Sequence, residues 1–177
     1  MSSSGQDVAR QNDEDLALSR RAAEGDSAAF AALVDKYERP LRAFLSRMGA
    51  GEIADDIAQD AFLKAWRAAG QYDGSARYST WLTSIAWRCR LDELRRRPRV
   101  ELADSGAEAR CPAADEANDM LARLSDSERA SLVLCDGHGW THAEAAELLG
   151  LPLGTLKSTV ARAKLKCREM WSGAGND

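Results

Sequence analysis

Apolar residues recur every three or four positions along most of the chain, which is the period of one face of an α-helix. Before Pro98, this period predicts helices over residues 13–24, 27–48, 53–69 and 80–97. After residue 115, it predicts helices over residues 116–124, 126–135, 141–149 and 153–170. Ala, Leu, Arg and Glu are abundant while Val, Ile and Thr are sparse, which also favours helices. The chain is therefore predicted to be all-α.

The segments without this period divide the predicted helices into two groups. Residues 1–12 are polar, and we expect them to be disordered. Residues 98–115 are rich in Pro, Gly, Ala, Ser and acids, which predicts a flexible linker. The sequence therefore predicts two small helical domains, residues 13–97 and 116–172, followed by a short tail, residues 173–177.

The last two predicted helices have the pattern of a helix-turn-helix. Thr141 and Glu144 have the spacing of a capping box, which starts a helix. Gly150 stands where a left-handed residue ends a helix, and Pro152 cannot continue that helix. The next helix has an apolar stripe, Leu156, Val160, Ala163 and Cys167, and leaves most of its basic residues on the other side. Such a helix enters the major groove of DNA in helix-turn-helix proteins, although a helical hairpin with a solvated basic face has the same pattern.

Charge is distributed unevenly along the chain. The 28 acidic residues outnumber the 24 Lys and Arg residues, which gives a formal net charge of −4. Arg residues cluster within residues 88–99 and the last helix is basic, whereas acids gather at residues 13–15, 52–60 and 101–119. Local charge, rather than the sum, decides what a surface attracts. The basic segments favour a nucleic-acid partner, and the acidic segments indicate a second, protein partner.

Other function classes find little support. The chain has no phosphate-binding loop, no nucleophile with a His–acid pair and no paired carboxylates in a cleft-forming pattern, so neither an enzyme activity nor a cofactor is predicted. Cys135, His138 and His142 have spacings that suit zinc, but a fourth ligand is not evident, so no metal site is predicted. The four cysteines lack a disulfide framework, and neither a membrane span nor a signal peptide is evident. We therefore expect a cytoplasmic protein with free thiols.

Three stretches of the chain carry a resemblance to a known family. They read DDIAQDAFLKAWRA (residues 55–68), YDGSARYSTWLTSIAWRCRLDELRRR (residues 72–97) and LGLPLGTLKSTVARAK (residues 149–164). By these stretches the chain resembles the sigma factors of bacterial RNA polymerase, specifically the extracytoplasmic-function (ECF) group. In that family the first two stretches lie in a helical domain that binds the polymerase clamp and opens the minus-ten promoter element. The third lies in a domain that reads the minus-thirty-five element and touches the polymerase flap.

A mixed acidic and apolar surface is predicted on the third helix. Its members fall close together on the helix surface: Asp56, Gln59, Asp60, Leu63 and Lys64. Such a mixture suits a basic protein surface better than DNA. The resemblance implies that the partner is the coiled coil of the polymerase clamp, and the alternative is a solvated acidic face.

The loop before residue 80 and the helix behind it are the candidates for minus-ten recognition. Opening a duplex needs a pocket for an unstacked base and cations for the phosphates. The candidates are Gly74, Ser75, Arg77 and Tyr78 in the loop, and Trp81, Arg88, Arg95 and Arg96 in the helix. Trp81 stands where related sigma factors place an aromatic wedge, and its alternative role is plain packing in the helix core.

The last helix supplies the candidates for minus-thirty-five recognition. They are Gly154, Thr155, Lys157, Ser158, Arg162 and Lys166. The first two lie at the amino end of the helix, where backbone N–H groups can bind phosphate. Arg or Lys reading guanine is the commonest specific base contact, which makes Arg162 and Lys157 the candidates for base recognition.

The predicted function is that of an ECF-type sigma factor, which binds core RNA polymerase, recognises promoter DNA and helps to open it while the polymerase supplies catalysis. The resemblance also implies control by an anti-sigma factor. Neither a small-molecule substrate nor membrane insertion is predicted. The alternative is a free-standing DNA-binding regulator that uses only the last domain. The acidic third helix and the loop before Thr80 argue against it, because such a regulator needs neither.

Overall fold

The computed structural model of the protein describes residues 3–96 and 112–173, with side chains described over residues 9–96 and 117–172. Within these residues all regular structure is helical, so the prediction of an all-α protein is confirmed. The α-helices are α1 (Ser3–Ala23), α2 (Ser27–Arg47), α3 (Ala54–Arg67), α4 (Tyr78–Arg96), α5 (Pro112–Ala122), α6 (Asp126–Leu132), α7 (His142–Leu149) and α8 (Leu153–Gly173). Short 3-10 turns, Gly51–Ile53 and Ala69–Gln71, flank α3.

The chain divides into two compact units. The first comprises Met1–Leu45 and Glu52–Ala103, and the second comprises Ser46–Gly51 and Asp104–Asp177. Most of the segment predicted as a linker lies outside the described residues, but its last residues belong to α5, which begins at Pro112. Proline is favoured at the first position of a helix because the N–H that it lacks has no partner there. A residue interpreted as part of the linker therefore starts a helix.

The first unit is built around the packing of α3 against α4. Ala61, Ala65 and Ala86 are fully buried on these helices, and their small side chains let the two backbones approach closely. Leu33 and Phe44 of α2 are also fully buried. Burying a leucine or phenylalanine side chain contributes about 1.5–3 kcal/mol to the free energy of folding, so each of these two positions matters for the stability of the unit.

Helix α1 begins earlier than the sequence predicts. It starts at Ser3, so most of the segment predicted to be disordered is helical, and Met1 and Ser2 lie outside the described residues. The carboxyl half of α1, which the sequence does predict, is anchored by polar contacts to distant parts of the first unit. Asp15 and Ser19 are buried, and the Ser19 hydroxyl donates to the Ala69 carbonyl oxygen at 3.0 Å. Contacts of this kind leave no periodic signal in a polar sequence.

The second unit contains the predicted helix-turn-helix, formed by α7 and α8. The capping box is present: the Thr141 N–H donates to Glu144 Oε2 at 2.8 Å, and the Glu144 N–H donates to Thr141 Oγ1 at 3.2 Å. Gly150 ends α7 with a φ of 65°, the left-handed conformation that glycine adopts without strain. Leu156, Val160 and Ala163 form the buried stripe of α8. Helix α6 ends at Leu132, earlier than predicted, and continues as a π-helical turn, Val133–Gly137.

The helices in the described parts of the chain are all too short or too polar to cross a membrane.

Candidate nucleic-acid and protein interfaces

The predicted protein-binding surface lies on α3, and all five of its residues are exposed: Asp56, Gln59, Asp60, Leu63 and Lys64. Leu63 is 54% exposed, so its apolar side chain is open to a partner. Gln59 and Leu63 also line a groove between α2 and α3, together with Phe30, Val34, Glu38, Arg42, Ala58 and Phe62. The surface therefore combines an apolar groove with a charged rim, which fits the apolar and basic side chains of a partner helix.

Arg42 ties together the two helices at the rim of this groove. Its guanidinium lies 2.9 Å from Glu38 on its own helix and 2.8 Å from Asp55 at the start of α3. Lys64, at the other end of the surface, lies 3.5 Å from Asp92 of α4. Because exposed ion pairs contribute only about 0–1 kcal/mol each, these charges can exchange partners at little cost.

The loop between α3 and α4 adopts a defined turn. Gly74 has a φ of 80°, and the Ser75 N–H donates to Asp73 Oδ1 at 2.9 Å. The hydrogen bonds from Ser75 hold the pKa of Asp73 below its usual range, so this carboxylate stays ionised near neutral pH. Ser75 and Arg77 are exposed and Gly74 is half-buried. The loop therefore offers a polar and a cationic side chain around a bent backbone.

Tyr78 does not lie on this surface, contrary to the prediction. Its side chain is 1% exposed and packs in an aromatic cluster, with ring centroids 5.1 Å from Tyr37, 5.1 Å from Tyr72 and 5.4 Å from Trp81. Burial raises the pKa of Tyr78 above its usual value. Tyr78 is the first residue of α4, and its side chain points into the aromatic cluster. It therefore supports the loop by packing and does not face solvent.

Trp81 and the predicted cations form a stripe along α4. Trp81 is half-exposed and packs against Tyr72 at 5.4 Å, so its inner side belongs to the aromatic cluster while its outer part faces solvent. Trp81, Arg88 and Arg95 are spaced by seven residues, which puts them on one helix face about 10.5 Å apart along the axis. Arg88, Arg95 and Arg96 are all exposed. An aromatic edge followed by cations on one face suits a single strand of nucleic acid.

The outer side of α8 carries most of the predicted minus-thirty-five residues. Gly154, Thr155, Lys157, Ser158 and Arg162 are exposed, opposite the buried stripe. The Ser158 hydroxyl donates to the Thr155 carbonyl oxygen at 2.9 Å within the same helix. The Arg162 guanidinium lies 3.9 Å from Glu128 of α6, and its side chain is still 60% exposed. This side of α8 is therefore open to solvent and accessible to DNA.

Lys166 has a second role that the sequence analysis did not predict. Its Nζ lies 2.8 and 2.9 Å from the two carboxylate oxygens of Glu128, a residue of α6 that is 5% exposed. Glu128 also completes a capping box, because it accepts from the Ser125 N–H at 3.1 Å. Lys166 and then Ser125 hold the pKa of Glu128 below its usual range. Lys166 is therefore a tie between α6 and α8, and a DNA contact would have to compete with it.

The residues weighed for zinc do not form a site. Among the described residues, no group of three or more His, Cys, Asp or Glu side chains is placed to hold a metal ion. Burial lowers the pKa of His138 and raises that of Cys135. Cys89, Cys135 and Cys167 are free thiols, and Cys111 lies outside the described residues.

Some contacts that shape these surfaces were missed from the sequence. Asn12 and Asp15 of α1 reach the loop and the aromatic cluster, but they fall in or beside a segment predicted to be disordered. The capping role of Glu128 could be predicted from the sequence, because Ser125 and Glu128 have the spacing of a capping box. The pairing of Glu128 with Lys166 joins two different helices, and no spacing in the sequence predicts it.

Comparisons with known proteins match both units. Residues 33–100 match the profile of Sigma-70 region 2, and residues 114–167 match that of Sigma-70, region 4. The ECF RNA polymerase sigma factor SigM of Mycobacterium tuberculosis is 36% identical over 151 residues, which cover 80% of this chain and 76% of SigM.

Two solved structures have a similar fold. CnrH, solved in complex with the cytosolic domain of CnrY, matches with a TM-score of 0.69 and 27% identity, over 90% of this chain and 98% of CnrH. RpoE of Bartonella quintana, solved in complex with the anti-sigma factor NepR, matches with a TM-score of 0.68 and 23% identity, over 81% of this chain and 96% of RpoE. From the family profiles and the SigM match together, the chain belongs to the ECF RNA polymerase sigma factors.

Proposed function

We propose that this sigma factor divides its work between its two units. The first unit binds core RNA polymerase and opens the minus-ten element, and the second recognises the minus-thirty-five element. The chain around residues 98–111 connects them. The observation that carries the proposal is the separation of surfaces: a charged-rimmed apolar groove and an aromatic–cationic stripe lie on the first unit, and a basic helix-turn-helix face lies on the second.

The contact with core RNA polymerase is proposed to use the exposed side of α3. Asp56, Asp60 and Leu63 offer acids beside an exposed leucine, and this mixture is complementary to a basic, amphipathic partner such as the clamp coiled coil. Acids at the rim steer the encounter and the apolar groove supplies contact area. We also propose that the flap contacts the second unit.

DNA opening is proposed to use the loop and the outer stripe of α4. Gly74, Ser75 and Arg77 would surround an unstacked base, and the exposed edge of Trp81 would hold the neighbouring base pair apart. Arg88, Arg95 and Arg96 would hold the phosphates of the non-template strand. Aromatic stacking on a base is worth about 1–3 kcal/mol, enough to offset much of the cost of unstacking it.

Minus-thirty-five recognition is proposed to use the amino half of α8. The N–H groups near Gly154 and Thr155 would bind a phosphate, while Lys157, Ser158 and Arg162 reach base edges in the major groove. We propose a minor part for Lys166, because its ammonium is paired with Glu128 at 2.8 Å, a closer contact than that of Arg162 at 3.9 Å.

The chain itself is proposed to perform no chemistry, because the polymerase forms the phosphodiester bonds. We infer that it acts where the polymerase and the chromosome are, in the cytoplasm. Since the structural relatives CnrH and RpoE were solved in complexes with CnrY and NepR, we also propose that an anti-sigma factor holds this chain inactive.

Run-off transcription tests the proposed function. Bacterial core RNA polymerase is incubated with the DNA that lies upstream of the gene for this protein, with and without the purified protein. A discrete transcript that depends on the protein is the expected result. If the protein neither co-elutes with core polymerase nor starts a transcript on this template or on a library of random promoters, the proposal is wrong.

A further inference from the structure

Helix α1 contacts the backbone of the loop that is proposed to accept the minus-ten base. Asn12 Nδ2 donates to the Gly74 carbonyl oxygen at 2.9 Å. The Tyr72 hydroxyl shares its one proton between Asn12 Oδ1, at 2.8 Å, and the Ala76 carbonyl oxygen, at 2.9 Å. The two ends of a single amide therefore bind the middle of the loop and the tyrosine that precedes it.

Asn12 can act as a fixed support because α1 is itself anchored. Three residues along the helix from Asn12, Asp15 is 1% exposed and accepts hydrogen bonds from Lys36 and Tyr37 of α2. One turn further, Ser19 donates to the Ala69 carbonyl oxygen. These bonds fix the rotation of α1 about its own axis, so the Asn12 amide is presented to the loop at a defined position.

Gly74 is held closely against α1 as well. A Cβ added at Gly74 would lie 3.0 Å from Leu16 Cδ2, and the φ of 80° already disfavours any other residue. The loop therefore rests on the side chain of Leu16 while its carbonyl group is bound by Asn12. The contacts leave little room for the turn to shift.

Tyr72 connects this arrangement to Trp81. Its ring lies 5.1 Å from Tyr78 and 5.4 Å from Trp81, centroid to centroid. Burial, followed by the negative charge of Asp15, raises the pKa of Tyr72 to about 12, so its hydroxyl remains a donor at physiological pH. One asparagine thus reaches both the base-accepting loop and the aromatic edge beside it.

We propose that Asn12 is a positioning residue for minus-ten base recognition, which holds the loop in its base-accepting shape through Gly74 and Tyr72. The inference rests on the proposed function of the loop. If the loop is already ordered before DNA binds, the binding free energy does not have to offset the entropy cost of ordering it. More of the free energy of the contacts then contributes to discrimination between bases. Without Asn12 the loop samples other shapes and accepts wrong bases more readily.

The test uses the full chain with bacterial core RNA polymerase and a promoter library randomised through the minus-ten and minus-thirty-five elements. Transcripts are sequenced to give the base preference at each position. In Asn12→Ala we expect a roughly fivefold loss of preference at one or two adjacent minus-ten positions, the size of effect that one to two hydrogen bonds carry. Preference at the minus-thirty-five element and affinity for core polymerase remain unchanged.

Two further variants separate the bonds that Asn12 makes. Asn12→Asp keeps the acceptor for Tyr72 but sets a carboxylate against the Gly74 carbonyl, so its minus-ten preference falls at least as far as that of Asn12→Ala. Tyr72→Phe removes the hydrogen bond to Asn12 together with the one to the Ala76 carbonyl oxygen, and its effect combines less than additively with Asn12→Ala. Asp13→Ala is the matched control, because Asp13 is the exposed neighbour of Asn12 on the same helix.

The outcomes distinguish the inference from the function on which it rests. If Ser75→Ala or Arg77→Ala changes the minus-ten preference while Asn12→Ala and Tyr72→Phe leave it at the wild-type level, the positioning role is wrong and the loop function stands. If none of the four changes it, the loop is not the minus-ten reader and both fail. Should Asn12→Ala lose its helical circular dichroism, Asn12→Asp decides the question in its place, and a wild-type minus-ten preference in that variant would show that the positioning role is wrong.

Discussion

The two proposed DNA-contacting surfaces are supported in different ways. The outer side of α8 is oriented by elements close to it in sequence: the Thr141 capping box, the left-handed Gly150 and the apolar stripe of the helix itself. The loop of the first unit is held by Asn12 and Leu16, some 60 residues away in sequence. Local rules can therefore find the first surface in a sequence, whereas the shape of the second depends on contacts that only the fold creates.

The largest effect on stability is expected from a change at Asp15, which anchors α1 in the first unit. Asp15→Ala removes a buried acceptor from Tyr37 and Lys36, and we expect the first unit to lose about 2–4 kcal/mol of its free energy of unfolding. Hydrogen exchange measured by mass spectrometry checks this, with faster exchange in α1 and α2 and unchanged exchange in α7 and α8. Asp13→Ala, at an exposed position of the same helix, is the control. Equal protection in the two variants would show that the buried carboxylate contributes nothing.

The corresponding change in the second unit is Glu128→Gln, which should cost about 1.5–3 kcal/mol because it removes a charged partner from Lys166. The pKa of Glu128 is lowered from 4.5 in the folded state. Its contribution is therefore fully present above pH 4.5 and is lost as the pH falls through the lower folded value. Thermal unfolding of both proteins between pH 3 and pH 7 should show a constant gap near neutrality that closes in acid. A gap independent of pH would contradict the role of the charge.

Arg162 and Lys166 allow a DNA-contacting role and a structural role to be compared within one helix, α8. Arg162→Ala is expected to lose about 1–3 kcal/mol of affinity for the preferred minus-thirty-five element, because Arg162 is 60% exposed and its guanidinium lies 3.9 Å from Glu128, farther than the Lys166 ammonium at 2.8 Å. Lys166→Ala should lower the melting temperature instead and change the minus-thirty-five sequence preference little. Binding of labelled promoter fragments, together with thermal unfolding, measures both effects. Wild-type promoter affinity in Arg162→Ala would show that a different side of α8 contacts DNA.

The smallest expected effect is on the protein partner. Asp60→Lys should weaken binding to core RNA polymerase about tenfold, or about 1.4 kcal/mol, because it reverses the charge at the rim of the α3 surface. Titration of the labelled protein with core enzyme measures this, and the loss should diminish at high salt. Glu52→Lys, also exposed and acidic, is the control for net charge. Equal affinities of the two variants would count against the α3 surface.

The parts predicted correctly from sequence are those that local chemistry determines. The all-helical fold, the Thr141–Glu144 box and the Gly150 turn each follow from a few neighbouring residues, and the structure confirms them. The family assignment is also confirmed, because the motifs behind it are contiguous stretches.

The parts that could not be predicted depend on how the helices meet. Tyr78 was expected to face DNA, but the start of α4 turns it into a cluster with rings from α2 and from the loop. Asn12 lay in a polar segment with no apolar period, and only its distance from Gly74 reveals a role. Lys166 is one of several basic residues of α8, and its pairing with Glu128 depends on the packing of α6 against α8. In each case the information lies in a pair of residues far apart in sequence.

The two sides of α8 have different roles, and this has a consequence for engineering promoter choice. The helix is fixed within its unit by the buried Leu156, Val160 and Ala163 and by the close pairing of Lys166 with Glu128. Lys157, Ser158 and Arg162 are exposed, and Arg162 makes a longer contact with Glu128, at 3.9 Å. The exposed set can be substituted as a group while the anchoring set is retained. Sigma factors with new upstream specificities, insulated from the native regulon, should therefore be obtainable from a library randomised at these three positions alone.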